Sequence, residues 1–473
     1  MTDFDYDFVI IGGGPAGRRA AIQASKLGKS VAIIDDQKKI GGVSVHTGTL
    51  PSKTIRESVL SVTGWRDQYF KSGRKRDGAD ATQRSITSRL SRTLGDEVEV
   101  IDNQLCRNNI ATLKGRARFA GPHKLAVSQS VQGKKTSYTV TAEKFLIAVG
   151  TTPYRPKHIP FNGTTVVDSD CVAANMPMPK SIVVVGGGVI GLEYATIFST
   201  LEIPVTVVEA RENILEFIDR DIISNFMHQL SERGISLRLG RAIKNITLDE
   251  NENPHVELDD GRQLRSEMLL FTAGRVGAVD KLGLDKIGVE PDNRGRLTVD
   301  PKTLQTAQPH IYAAGDIIGF PALASTSMEQ GRLAACHAFD HPIQSSEHSF
   351  PLGIYSIPEI ASIGLTEEEA RAKGLQVEIG VARFQETSRG HILGSCKGML
   401  KCIFDLNNRK LLGVHIVGEG ATELIHIGQA VLNLDGGIDY LSDTVFNFPT
   451  LAEAYKVAAL DAYNRMPRPR LRA

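Results

Sequence analysis

One local pattern constrains this chain more than any other: a short buried strand breaks into a glycine-rich turn and reopens as a helix, and the pattern is written twice. Asp7-Phe8-Val9-Ile10-Ile11 is a β-branched and aromatic run that ends in Gly12-Gly13-Gly14-Pro15-Ala16-Gly17. Alanines and long side chains predict a helix over residues 18–27, stopped by Gly28, and a second strand over residues 30–34. From Ser181 the pattern returns as Ile182-Val183-Val184-Val185, then Gly186-Gly187-Gly188-Val189-Ile190-Gly191, a helix to about Thr200 and a strand over residues 205–208. In such a turn the first glycine permits the bend, the second lets the backbone approach a pyrophosphate, and the third lets helix and strand pack closely. The helix N-terminus adds amide donors and partial positive charge. Gly12, Gly14 and Gly17 form one set, and Gly186, Gly188 and Gly191 the other. Each is followed at the same distance by an acid, Asp35 or Glu209, suited to accept hydrogen bonds from an adenosine ribose. Two dinucleotide-binding domains of α/β type are therefore expected.

At 473 residues the chain is too long for one core and divides naturally into roughly three units. A net charge of +1 offers no general attraction to nucleic acid or anionic lipid, so neither is an expected partner. No uninterrupted apolar stretch reaches membrane-spanning length, and Met1-Thr2-Asp3-Phe4-Asp5-Tyr6-Asp7 is acidic where a secretory signal would be basic, so a cytoplasmic location is expected. Cys106, Cys171, Cys336, Cys396 and Cys402 are scattered without the spacing of a metal knuckle or redox dithiol. They are expected to be buried, reduced thiols, and no metal is expected. The arginine-rich terminus, residues 465–472, reads as a solvated tail.

Between the two glycine motifs, a helical stretch over residues 52–96 carries the basic loop Arg74-Lys75-Arg76, and a β-rich region runs to Gly150. Beyond about Ser346 the pattern predicts a hairpin pairing residues 399–404 with 411–416 around Asn407-Asn408, then helices over 421–434 and 451–463. This is a third domain, of α+β type.

The segment Gly41-Gly42-Val43-Ser44-Val45-His46-Thr47-Gly48-Thr49-Leu50-Pro51-Ser52-Lys53, with Thr272-Ala273-Gly274-Arg275 and Ala314-Gly315-Asp316, resembles the pyridine nucleotide-disulfide oxidoreductase family, which includes lipoamide dehydrogenase and glutathione reductase. The resemblance implies a glutathione reductase-like fold: two Rossmann-like domains, the first discontinuous (1–151 and 277–346) and binding FAD, the second (152–276) binding NAD(P), and a C-terminal dimerisation domain (347–473). A homodimer or higher homo-oligomer is implied. So are roles for single residues. Gly12, Gly14, Gly17, Asp35, Gly42, Ser44, Gly115 and Asp316 would hold FAD. Gly186, Gly188, Gly191, Glu209 and Gly274 would hold the nicotinamide nucleotide. Lys53 would stabilise negative charge developing on the flavin, with Glu193 as its ion-pair partner.

Two departures from the family redirect the function. Ser44 and Thr49 stand where the redox dithiol belongs, and a hydroxyl can neither form a disulfide nor supply a stable nucleophilic anion near neutral pH. In Asn447-Phe448-Pro449-Thr450-Leu451-Ala452-Glu453, Phe448 occupies the position of the family's histidine and cannot act as its general acid, leaving Glu453 a structural role. Electrons reaching the flavin must then leave through another substrate. The wording from Phe446 to Tyr455 resembles a branch of the family that lacks the dithiol and moves hydride between NADPH and NAD⁺ through FAD, in ping-pong fashion at one nicotinamide site. NAD(H) and NADP(H) would both be substrates. A carboxylate at Glu209 favours the 2′-hydroxyl of NAD, whereas Arg211 is placed to turn toward the 2′-phosphate of NADP. Two alternatives stay open at this point: an NAD(P)H dehydrogenase that reduces quinone, dye or oxygen, and a non-catalytic flavin-binding redox sensor.

Overall fold

β-branched runs that are apolar on both faces must be covered on both, and the chain builds two sheets of parallel strands, each with helices on one face and antiparallel strands on the other. The computed structural model describes residues 4–65, 79–131, 134–342, 350–394 and 397–466. β1 (Tyr6–Ile11) leads through the first glycine turn into α1 (Pro15–Lys26), and β2 (Val31–Asp35) follows. Pro15 starts the helix where its missing N–H costs nothing, and Gly28, at φ +77°, lets the chain turn away beyond the Leu27 cap. Next come α2 (Gly42–His46), α3 (Thr49–Thr63) and α4 (Ala79–Arg107). They are followed by β3 (Ala111–Lys114), β4 (Arg116–Gly121), β5 (Lys124–Val131) and β6 (Lys134–Ile147). The basic loop at 74–76 lies outside the described residues.

The sheet order is β3-β2-β1-β6-β5-β4, parallel from β3 to β6 and antiparallel from β6 to β4. A later strand pairs parallel with β6, so the sheet is completed by distant sequence. One expectation fails here. Residues 97–107 belong to α4 rather than to the β-rich region, because Ile101 and Leu105, one helical turn apart, both enter the first core.

The antiparallel ribbon of β7 (Thr151–Pro153) with a later strand leads out of this unit. The second unit begins with β8 (Val166–Asp168), α5 (Ser169–Asn175), β9 (Ile182–Val185), α6 (Val189–Thr200) and β10 (Val205–Glu209). It continues with α7 (Arg220–Glu232), β11 (Ser236–Leu239), β12 (Ile243–Leu248), β13 (Pro254–Leu258), β14 (Gln263–Arg265) and β15 (Met268–Phe271). Its parallel sheet runs β11-β10-β9-β15-β8, beside the antiparallel β12-β13-β14. β16 (Arg275–Gly277) closes the ribbon with β7, and β17 (Ile311–Ala313) is the strand that joins β6. α8 (Ala324–Ala338) then packs on α1, so closely that a Cβ at Gly331 would lie 2.0 Å from the Ala16 carbonyl oxygen.

The third unit contains β18 (Leu352–Ile354), β19 (Ile360–Gly364), α9 (Glu367–Ala372), β20 (Val377–Arg383) and α10 (Ser388–Leu393). β21 (Met399–Asp405) and β22 (Leu411–Val417) form the expected hairpin, with Phe404 opposite Leu411. α11 (Ala421–Asn433), α12 (Ile438–Asp443) and α13 (Glu453–Tyr463) complete the chain. The sheet order is β18-β19-β22-β21-β20. A charge cluster centred on the buried Lys401 and Asp219 locks this unit to the second. Lys401 Nζ, on β21, donates to Asp219 at 3.0 Å and to Asp221 and Glu367 at 2.7 Å each. Asp219 is the N-cap of α7.

The thiol expectation needs correcting: Cys336 and Cys402 are buried, Cys171 is half-buried and Cys106 is exposed. Cys396 lies outside the described residues, as does 467–473. Arg465 is not loose, since it pairs with Asp461 and Glu378. Among the described residues no helix is long and apolar enough to cross a membrane.

Candidate functional site

The two glycine turns share one geometry. Gly12 and Gly186 sit at φ +105° and +108°, where a side chain would be strained. A Cβ on Gly17 or Gly191 would come within 2.0 Å of the carbonyl oxygen of Gly12 or Gly186 respectively, so the third glycine of each set is fixed by packing. A Cβ on Gly14 or Gly188 would meet no protein atom within 4 Å. The second glycine of each set therefore faces open space at a helix N-terminus, as a backbone cradle for a pyrophosphate requires.

The acids after the next strands match as well. Asp35 accepts from the Gly13 N–H at 2.6 Å and the Gln37 N–H at 2.8 Å. Glu209 accepts from the Gly187 N–H at 2.7 Å and the Arg211 N–H at 3.0 Å. Their electrostatics differ. Burial pushes the Asp35 carboxyl up, against the two backbone donors. Burial acts on Glu209 in the same sense, but the Arg211 side chain and the backbone donors outweigh it and hold the carboxyl below its ordinary value. Arg211 Nε lies 3.0 Å from Glu209 Oε1 and Nη2 lies 3.3 Å from Oε2. Arg211 is thus ion-paired, with its side chain 52% exposed.

A cavity of about 390 Å³ opens at the first turn and gathers most of the residues expected there: Gly12, Gly14, Asp35, Gly42, Ser44, Gly115 and Asp316. Gly17 lies beneath it, packed on Gly12. Gly42, at φ +64°, approaches Gly14 so closely that its Cβ would fall 2.7 Å from the Gly14 Cα. The Gly115 N–H donates to the Asp35 carbonyl at 2.9 Å. Burial pushes the Asp316 carboxyl up, opposed by Arg275 and by Ser327 at 3.4 Å. Ser44 Oγ donates to the Gly41 carbonyl at 3.1 Å, and the Thr49 side of the segment also faces the cavity. The residues of the second turn, with Glu209, Arg211 and Gly274, are not among those lining this cavity. Gly274 adopts φ +113° at the mouth of the β7/β16 ribbon and accepts from the Tyr154 N–H at 3.1 Å.

Lys53 and Glu193 meet as expected. Lys53 Nζ, on α3, donates to both carboxylate oxygens of Glu193, on α6, at 2.8 Å each, and Glu193 is 4% exposed. The sequence had no signal for two further features. Asp170, at the start of α5, lines the cavity beside Thr47, with Arg275 Nη1 3.5 Å from its Oδ1. Burial pushes Asp170 up, with Arg275 opposing. Tyr355, just beyond β18, donates its backbone N–H to Glu193 Oε1 at 2.9 Å. Phe448 is 64% exposed, and Glu453 Oε2 is buried without a hydrogen-bond partner in the described residues.

Residues 6–331 match the family model of the pyridine nucleotide-disulphide oxidoreductases, and residues 350–459 match the dimerisation domain of the same family. The chain belongs to the pyridine nucleotide-disulphide oxidoreductase family, with the glutathione reductase-like fold expected of it, and the family implies a flavin and nicotinamide nucleotides. Over 464 residues it is 46% identical to the soluble pyridine nucleotide transhydrogenase of Mycobacterium bovis, with 98% of each chain covered. It is 39% identical to the protein of that name from Chromohalobacter salexigens, covering 98% of this chain and 100% of that one. Among solved structures it is similar to the HOCl-induced flavoprotein disulfide reductase RclA from Escherichia coli, with a TM-score of 0.85 at 26% identity over 96% of this chain and 99% of the other. It is also similar to LpdA from Mycobacterium tuberculosis, with a TM-score of 0.86 at 25% identity over 96% and 99%.

Proposed function

We propose that this chain is a soluble NAD(P)⁺ transhydrogenase, moving hydride between NADPH and NAD⁺ through bound FAD, with donor and acceptor using one nicotinamide site in turn. One observation carries the reading: hydroxyls at Ser44 and Thr49 replace a dithiol, while both nucleotide cradles and the Lys53–Glu193 pair are intact. The likeness to a disulfide reductase therefore extends to the fold and not to that chemistry.

FAD, when bound, supplies the atom that accepts and returns the hydride. The residues of the first cavity fit it. Gly14 and the α1 N-terminus meet the pyrophosphate, Asp35 the adenosine ribose, Gly115 the adenine end, and Asp316 the ribityl chain. Gly42 and Ser44 flank the ring side. Lys53 stabilises negative charge on the flavin, and Glu193 holds the ammonium in place. In the second domain Gly188 and the α6 N-terminus receive the nicotinamide nucleotide's pyrophosphate, Gly274 lies toward its ring, and Glu209 with Arg211 reads the ribose. The third domain, 347–473, joins two copies as a homodimer, and the enzyme works in the cytoplasm.

Initial rates with NADPH varied at several fixed concentrations of a spectrally distinct NAD⁺ analogue test the single shared site. Parallel double-reciprocal lines are expected. Lines converging to the left of the axis would require both nucleotides bound together and would refute it.

A further inference from the structure

Lys53 is held by more than its carboxylate. Its Nζ lies 4.9 Å from the centre of the Tyr355 ring, inside the range of a cation–π contact. The backbone N–H of the same tyrosine donates to Glu193 Oε1 at 2.9 Å, so one residue of the third unit touches both members of the pair. The chain on either side of the ring is anchored, with the Ile357 N–H donating to the Thr196 hydroxyl at 3.0 Å. Glu359 Oε2 accepts from the Thr422 hydroxyl at 2.8 Å and from the Thr422 N–H at 3.1 Å. The other oxygen of Glu359 lies 3.1 Å from Arg56, which sits one turn after Lys53 on α3, is 2% exposed, and donates Nε to the Ser356 carbonyl at 3.1 Å. Arg56 thus ties Glu359 and the residue next to Tyr355 to the helix that carries Lys53.

Building on the assignment of Lys53 to the flavin, we propose that Tyr355 is a positioning residue for hydride transfer, its ring fixing the Lys53 ammonium from the side that Glu193 leaves open. A part-buried ammonium such as that of Lys53, its side chain 24% exposed, with a carboxylate on one side retains freedom to swing about that contact. A fixed aromatic face on another side removes it, and adds electrostatic attraction that strengthens as water is excluded. The tyrosine reaches the lysine from a domain more than three hundred residues away in sequence, so this geometry exists only when the third unit is docked on α3.

Substitution isolates the ring, because the backbone bond to Glu193 survives any side chain. In Tyr355→Leu, the anaerobic rate of flavin reduction by saturating NADPH falls about 3- to 10-fold, the range of a partly desolvated cation–π contact. The flavin midpoint potential moves negative, and NADPH affinity is unchanged. Tyr355→Phe keeps the ring and stays close to the parent in rate and potential. In a Lys53→Ala background, Tyr355→Leu causes no further change. An unaltered rate and potential in Tyr355→Leu, or an equal additional loss in the Lys53→Ala background, overturns the proposal. Should Tyr355→Leu lose flavin or secondary structure, Tyr355→Met, closer in reach, is read by the same criteria. Lys53→Ala alone separates the two levels. If it leaves flavin reduction unchanged, the assignment of Lys53 fails and the role of Tyr355 falls with it. If it slows reduction while Tyr355→Leu does not, only the role of Tyr355 fails.

Discussion

Arg211→Ala is the perturbation that separates the two substrates of the proposed shared site. The arginine is half exposed and committed to Glu209 through two side-chain contacts of 3.0 and 3.3 Å. A 2′-phosphate must recruit it from that partner. A hydrogen bond to a charged group contributes about 1.5–3 kcal/mol net, but exposure and the loss of the Glu209 pair pull the gain to the lower end. About 1–2 kcal/mol is left, or roughly 5- to 30-fold in affinity for NADP⁺. NAD⁺ loses little. Glu209 keeps the Gly187 N–H and the residue-211 backbone N–H in the variant, so its carboxylate keeps the orientation it has in the parent. Titration of the oxidised flavoprotein with NADP⁺ and NAD⁺, at one fixed ionic strength, reads both constants. A selective weakening of NADP⁺ is expected. Equal losses for both nucleotides, or none for either, would refute the reasoning.

Three further outcomes follow from packing and charge. Gly14→Ala meets no protein atom within 4 Å, so it should fold normally yet bind flavin weakly, whereas Gly17→Ala, whose Cβ would lie 2.0 Å from the Gly12 carbonyl, should give little folded protein. Flavin content and circular dichroism of the two variants check this. Lys401→Met strands the fully buried Asp219 and should cost about 3–5 kcal/mol, less whatever Asp221 and Glu367 recover by turning to solvent, with Asp219→Asn restoring part of the loss. In the parent, burial opposes charge on Lys401, Asp219 and Glu367, yet the carboxylates hold Lys401 above its ordinary value, while His415 and Lys401 hold Asp219, and Lys401 and Arg371 hold Glu367, below theirs. Its contribution is therefore complete between about pH 5 and pH 10, and is lost as pH falls through the lowered carboxylate values or rises through that of the lysine. Melting temperatures should form a plateau across that range in the parent and lie lower throughout it in Lys401→Met.

The parts of the fold legible in the sequence were those in which a local rule leaves one solution. Gly12 and Gly186 need positive φ, Gly17 and Gly191 need to lack a Cβ, and the runs around them are apolar on both faces, so two parallel nucleotide-binding units could be read directly. The β21–β22 hairpin was equally local. The end of α4 was not, because Val98, Val100 and Ile101 favour strands in isolation and only the burial of Ile101 and Leu105 makes them helical. The site followed the same division. Asp35 and Glu209 were visible from spacing. Lys53 and Glu193, on different domains, were visible only through family resemblance. Asp170 with Arg275, and Tyr355 over Lys53, depend on which loops the completed sheets bring together, and no short-range pattern encodes that. The ion pair that ties Arg211 to Glu209 is a matter of rotamer, which sequence does not specify.

Anaerobic stopped-flow mixing in two stages tests the hydride relay most directly. The purified yellow protein is first mixed with one equivalent of NADPH and then with excess NAD⁺, and flavin absorbance is followed throughout. Transhydrogenation predicts bleaching in the first stage and full reoxidation in the second, with one NADH formed per flavin. Bleaching that NAD⁺ does not reverse, and that a quinone or oxygen does, would contradict it and assign the electrons to a different acceptor. A flavin that never bleaches would remove the enzyme activity altogether.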